Sequence, residues 1–435
     1  MKSISSTITT KKPTKKITHL LTEEQKILQA TFDLRETPQK YDTDYASINV
    51  PFDESIIKKV KKIIIEKQKL SIDSLVVIGI GGSNLGTLAI HQALNGLLYN
   101  DQNKIPSIYF ADTTDPHYLT QLITILENKL KNHKNILLNI VTKSGSTVET
   151  LTNFHILIEL LKKYQLDYKK YIVVTTDQNS SLDQWAQHED ITCLHVPALV
   201  GGRYSVFSEV GLFPLGFIGI DIEHLHTGAR DAVEAALKKE NDVIKGALAI
   251  YHAYQDGLII HDLFIFALEL EGLGKWYRQL SGESLGKPLK DNPQTRCILT
   301  PTLSIGSVDL HSVTQLYLGG LPPTFTTFIG IQQWNKTIKI QKDKTLTSLN
   351  NTIQGKTVNE IMDAIFYGTI AAYKKQKKQF TIFMLPQINE YSLGYLMQTF
   401  MIQMMYLGKL CNVNPFNQPQ VELYKKETKR ILTHA

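Results

Sequence analysis

The segment VVIGIGGSNLGTL (76–88) runs an apolar stretch into Gly79, Gly81, Gly82 and Ser83, then into helical spacing. Glycines there let the backbone approach a ligand, and free N–H groups at a helix start favour an anion. It is not a dinucleotide fingerprint, because Asn84 stands where GxGxxG counted from Gly79 needs glycine. Nor is it a Walker A loop, since Thr87 occupies the lysine position. A second donor-rich stretch is TKSGST (142–147), in which Thr142, Lys143, Ser144, Ser146 and Thr147 offer a hydroxyl or an ammonium. A phosphate takes several such donors at once. Ser146 followed three residues later by Glu149 has the form of a capping box, which makes Glu149 structural.

Three further stretches carry charge. In PALVGGRYSVFSEVGL (197–212), Gly201 and Gly202 clear space for Arg203, whose guanidinium can face an oxyanion without losing its proton. In KWYRQLSGESLGK (275–287), Glu283 sits among serines and glycines after a helical stretch, as a loop carboxylate able to take a proton. His311 lies at the start of an expected helix in VDLHSVTQLYLGG (308–320), and Gln418 and Lys425 fall in NPFNQPQVELYKK (414–426). Any one of these alone reads as an ordinary turn, surface ion pair or satisfied side chain. With no HExxH and no close His/Cys/Asp run, no metal site is expected.

These residues need a scaffold. SLVVIGI (74–80), SIYFAD (107–112), NILLNIVT (135–142), YIVVTTD (171–177) and TCLHV (192–196) are near-continuous apolar runs. The spacing between them is helical over 85–98, 117–131 and about 147–164, so the pattern predicts a parallel sheet covered on both faces. Beyond about residue 245, AIYHAYQ and LFIFALELEGLGKWYRQL have helical periodicity, while 297–303, 324–331 and 380–385 read as strands. Helices are expected over 309–318, 357–375 and 393–411, the last apolar nearly all round and needing cover from its own chain or from a second one. Both donor-rich loops then sit at the carboxyl ends of strands in one α/β sheet, facing one crevice.

Composition narrows the class. The 435 residues are 43% hydrophobic and 20% charged, an ordinary globular balance. A net charge of +6 over this length does not argue for nucleic acid. Cys193, Cys297 and Cys411 form no CxxC pair and fit a reducing compartment. No membrane span is expected, and the Lys-rich start reads as a mobile tail rather than a secretory signal.

Together, GIGGSNLG, VTKSGSTVET, VGGRYSVFS, GESLGK, DLHSVTQLYLGG and FNQPQVELYKK resemble, in order, the motif set of the glucose-6-phosphate isomerase family, in its shorter bacterial form. The likeness runs from about residue 76 to 426. It implies two sugar-isomerase (SIS-type) α/β domains, 46–215 and 216–410, each a parallel sheet flanked by helices. An N-terminal extension (1–45), partly mobile, would precede them, and a C-terminal segment (411–435) carrying an active-site lysine would follow. It implies a cytoplasmic homodimer that isomerises glucose 6-phosphate and fructose 6-phosphate through an enediolate, without a cofactor. Glu283 would move the proton between C1 and C2, Arg203 would steady the enediolate, and His311 with Lys425 would open the ring. Ser83, Thr142, Lys143, Ser144 and Thr147 would hold the phosphate beside Gly82 and Gly202, with Gln279 and Gln418 lining the sugar site. Two departures stand out. Glu209 replaces a small residue, putting a carboxylate near Arg203, and Gln420 replaces a Gly or Ala, crowding the Gln418 loop. The alternatives are a dual glucose/mannose-6-phosphate isomerase and a sugar-phosphate-binding regulator, the latter having no need of Glu283, Arg203 and His311 together.

Overall fold

The computed structural model describes residues 4–320, 322–346, 349 and 351–434. The chain begins with a short strand, β1 (Ser5–Thr7), and the helix Lys15–Asp33, which Thr14 caps through its hydroxyl. Apolar runs then become β2 (Ile72–Ile78), β3 (Ser107–Ala111), β4 (Asn135–Val141) and β5 (Ile172–Asp177), largely buried on both sides, and the half-buried edge strand β6 (Thr192–Val196). They form an all-parallel sheet in the order β3-β2-β4-β5-β6. From β2 the chain moves to β3 on one side and then to β4 on the other. The loops leaving β2 and β4 therefore flank a switch point, where an open α/β sheet offers a crevice.

The second sheet contains β7 (Ile260–Ile265), β8 (Thr300–Ile305), β9 (Thr324–Ile331) and β10 (Phe380–Leu385), in the order β1-β10-β9-β7-β8. Its strands are parallel except β1, which pairs antiparallel with β10. One apolar cluster runs from Leu75 and Val77 of β2 through the helix Glu390–Leu410 to Leu263 and Ile265 of β7. The two sheets are thus joined by a shared interior.

Several expectations change here. Of LFIFA, read as helical, residues 263–265 complete the strand β7, which lies between β9 and β8, and the helix begins only at Glu271. The expected helix over 309–318 splits into a 3-10 turn, Val308–His311, and a short helix, Thr314–Gly319. The stretch before residue 45 does not hang free from residue 4 onward. β1 is hydrogen-bonded to β10, and Leu21 and Leu28 of the first helix are buried in the shared core. Residues 1–3 of that expected tail, and Ala435 of the expected C-terminal segment, lie outside the described residues. The apolar helix Glu390–Leu410 finds its cover within its own chain, chiefly against helices Ile222–Ala236, Asp242–Gln255 and Lys15–Asp33.

Candidate functional site

Arg203 is the fixed point of the site. It sits in a 3-10 turn, Gly202–Tyr204, following β6, and its side chain is only 1% exposed. A buried guanidinium must have its donors met. Nε donates to Ser284 Oγ at 2.9 Å, and Nη1 donates to Gln418 Oε1 at 2.8 Å and to Glu283 Oε2 at 3.2 Å. Nη2 donates to the carbonyls of Asn417, at 3.2 Å, and Pro415. One cation thereby joins the first sheet, the helix Glu271–Leu285 and the 414–418 loop.

Glu283 is on the last turn of the helix Glu271–Leu285 and not on a loop. Gln279, one turn earlier on the same face, donates from Nε2 to Glu283 Oε1 at 3.0 Å. With Arg203 on Oε2, each carboxylate oxygen has one donor, while the side chain stays 30% exposed. The helix continues past the serines and glycines because Leu280, Ser281, Ser284 and Leu285 are all fully buried. Tertiary burial outweighs the weak helix propensity of the sequence.

The glycine loop after β2 completes this side. Gly81 adopts φ +58°, a left-handed conformation that favours glycine. A Cβ at Gly82 would lie 2.2 Å from the carbonyl carbon of Gly202, so only glycine lets the two turns touch. Ser83 is half-buried at the end of that turn, Gly81–Ser83. On the neighbouring strand, β4 ends into Thr142, which is buried and shares a hydrogen bond of 3.1 Å with the Thr147 hydroxyl. Ser144 accepts from the Ser146 N–H and hydroxyl at 3.3 and 3.2 Å.

A cavity of about 260 Å³ opens between this loop and the C-terminal helix Val421–His434, lined by Ser144, Thr147, Glu149, Glu422, Lys425 and Lys429. A second, of about 330 Å³, is lined by Lys143, Gly202 and Gln418 among others. Lys425 therefore faces the donor loop, with Nζ 2.8 Å from Glu422 Oε1. His311 is the exception: it is exposed after β8 and has no hydrogen bond or ion pair to any site residue among the described residues.

The capping box expected from Ser146 and Glu149 does not form. The helix Val148–Lys163 is entered from Thr147, so Glu149 is one position too early to reach back to the cap residue. Gln420 crowds nothing, since it is exposed while Gln418 keeps its bond to Arg203. Glu209 does not compete at Arg203, whose carboxylate partner is Glu283. It opens the helix Glu209–Phe217, capped by Ser208, where the charges of Lys59 and Asp53 act on it.

Burial pushes the Glu209 carboxyl up to about 7, and one of its oxygens has no hydrogen-bond partner. A carboxyl raised in the folded state contributes stability that is fully present below its unfolded pKa, near 4.5, and lost as pH rises through about 7. Glu209→Gln, which mimics the protonated form, should match the wild type at pH 4.5 and exceed it by about 1–3 kcal/mol at pH 8. Denaturant midpoints at the two pH values check this; an advantage of equal size at both would disprove the linkage.

The sequence reading missed Lys287. It is buried, its Nζ donates to the carbonyls of Asn414 and Asn417, and desolvation together with nearby Arg203 pushes its pKa down to about 7. It clamps the loop that carries Gln418. Ser284 and Tyr204 were missed too; the Tyr204 hydroxyl lies 3.0 Å from Ser284 Oγ and 3.3 Å from the Pro415 carbonyl. GESLGK, which holds Ser284 and Lys287, was the available signal.

The chain is similar to several known proteins. The family profile described as phosphoglucose isomerase matches residues 57–435. A glucose-6-phosphate isomerase of Clostridioides difficile (strain 630) is 35% identical over 393 residues, covering 88% of this chain and 84% of the relative. One from Carboxydothermus hydrogenoformans is 31% identical over 422 residues, covering 94% and 89%. Among solved structures, a hypothetical protein from Thermus thermophilus aligns with TM-score 0.84 and 30% identity, covering 95% of each chain. A glucose-6-phosphate isomerase from Chlamydia trachomatis, at 20% identity and TM-score 0.79, shares the fold over 99% of this chain and 88% of its own.

Proposed function

This chain belongs to the phosphoglucose isomerase family and is an enzyme that interconverts glucose 6-phosphate and fructose 6-phosphate, and we propose that the Arg203–Glu283 pair carries the reaction. The observation behind this reading is the fixed carboxylate of Glu283, held between Gln279 and the buried Arg203, whose other partner Gln418 lines the cavity beside Lys143. A proton α to a carbonyl becomes acidic only if a base meets the C–H while a cation meets the oxygen. Glu283 takes the proton from C2, the C1 carbonyl oxygen becomes the enediolate oxygen beside Arg203, and the same carboxyl returns the proton to C1. As the ketone forms, the proton of the O2 hydroxyl passes to O1, which becomes the C1 hydroxyl. Nothing in this sequence of steps transfers a hydride.

The phosphate lies against the loop after β4 and the turn at Gly82, with the donors of Ser83, Thr142, Lys143, Ser144 and Thr147. Lys425, across the cavity, assists ring opening. His311 stands apart in its own subunit, and in this reading it is delivered to the site of a second copy, so the enzyme works as a homodimer. Glycolysis and gluconeogenesis in the cytoplasm are the setting that this activity fits. Among the described residues no helix is long and apolar enough to cross a membrane.

The purified chain should interconvert the two sugar phosphates in a coupled assay without added metal or nucleotide, with mannose 6-phosphate run in parallel. Ser144→Asp, which sets a negative charge in the donor loop, should weaken sugar-phosphate affinity at least about 100-fold while the fold survives. Unchanged affinity by calorimetry would remove the loop from the phosphate site. Activity on mannose 6-phosphate at a comparable rate would widen the specificity to the dual enzyme.

A further inference from the structure

We propose that Asp183, Cys193 and His195 form a site for a thiophilic divalent cation of the Zn2+ class, separate from the sugar-phosphate crevice. Cys193 and His195 are two apart on β6, the edge strand of the first sheet, so they share one of its faces. The helix Ser181–His188 packs over that face with Leu182 and Ala186 buried, and this sets Asp183 against them. One ligand atom from each residue lies within 4.8 Å of the other two, and His195 Nε2 is 2.8 Å from Asp183 Oδ1.

Tetrahedral Zn2+, with bonds of about 2.0–2.3 Å, places its ligands about 3.3–3.8 Å apart. Closing onto a cation therefore needs a shift of roughly 1 Å in a side chain, with no backbone rearrangement. Asp183 is pre-aimed. Its Oδ2 accepts from the Asn179 N–H at 2.7 Å and from Gln187 Nε2 at 2.9 Å, which leaves Oδ1 facing the other two ligands. Such hydrogen bonds to the far side of a ligating carboxylate are the support that metal sites use. The Asp183 side chain is wholly buried while that of His195 is 33% exposed, so a solvent molecule can take the fourth position. Sulfur, nitrogen and oxygen donors together suit Zn2+ or Co2+ and not Mg2+ or Ca2+, which take oxygen. Sequence spacing hid the site because Asp183 comes from a different element, ten residues before Cys193.

The test uses the untagged full chain with Co2+ as the probe. A thiolate-to-cobalt charge-transfer band should grow to one equivalent per chain, and Zn2+ but not Mg2+ should displace it. Cys193→Ala should abolish the band, and His195→Ala should weaken Co2+ binding by at least about tenfold. Neither residue lies in the sugar site, so isomerase activity measured in chelator should be unchanged in both. Cys193→Ser serves as the second variant if Cys193→Ala lowers the melting temperature. No band in the wild type, or a band that survives loss of Cys193, overturns the proposal and leaves the His195–Asp183 contact as a structural ion pair.

Discussion

Glu283→Gln is expected to leave glucose 6-phosphate binding within about tenfold of the wild type while lowering kcat by about a thousandfold or more. The substitution keeps the shape of the side chain and one acceptor oxygen. Either the Gln279 or the Arg203 donor therefore stays paired, and the other turns toward substrate or solvent. What it removes is the lone pair that accepts the C2 proton. Loss confined to the chemical step should show as a fall in kcat with little change in KM. Exchange of the substrate C2 hydrogen with solvent deuterium should stop along with turnover, while retained glucose 6-phosphate binding by calorimetry separates this outcome from misfolding. Activity within about tenfold of wild type would move the base elsewhere. Glu149 is then the next carboxylate to test, since it lines the cavity opposite Lys425.

Most of the first sheet was legible because its strands are short apolar runs separated by helical spacing. β2, β4 and β5 start and end within two residues of the runs that predict them. β1 was not legible, since Ser-Ser-Thr carries no apolar signal and becomes a strand only by pairing with β10. β7 was hidden for a different reason. Its apolar run passes straight into the following helix, and a buried strand and a buried helix segment have no periodicity to separate them. At the site, the donor loops and Arg203 announce themselves by composition. The contacts that make them a site do not. Lys287 reaches Asn414 and Asn417, and Arg203 reaches Gln418, across distances along the chain that no local pattern encodes. Glu283 was placed on a loop because Ser-Gly-Glu-Ser reads as one, and only the burial of Ser281 and Ser284 makes it the end of a helix.

Mixing two dead variants should restore activity if His311 serves a neighbouring subunit. Within one chain Arg203, Glu283, Gln279 and Gln418 are bonded into one cluster, Lys425 faces the donor loop, and His311 stands exposed with no bond to any of them. The apolar helix Glu390–Leu410 cannot be used to argue for a dimer, because its own chain buries it. The proposal therefore rests on His311 alone, and it is sharp enough to fail. Glu283→Gln supplies an intact His311, and His311→Ala supplies an intact Glu283. In a heterodimer one of the two sites receives both, while the other receives neither. Random exchange of equal amounts makes about half of the dimers mixed, so about a quarter of the wild-type sites should work. Each parent alone should stay near background. Mass spectrometry of the mixture establishes that exchange has occurred. If heterodimers are present and activity stays at background, His311 does not act across the interface. If exchange never occurs because the protein is a monomer while the wild type remains active, the shared site is equally excluded.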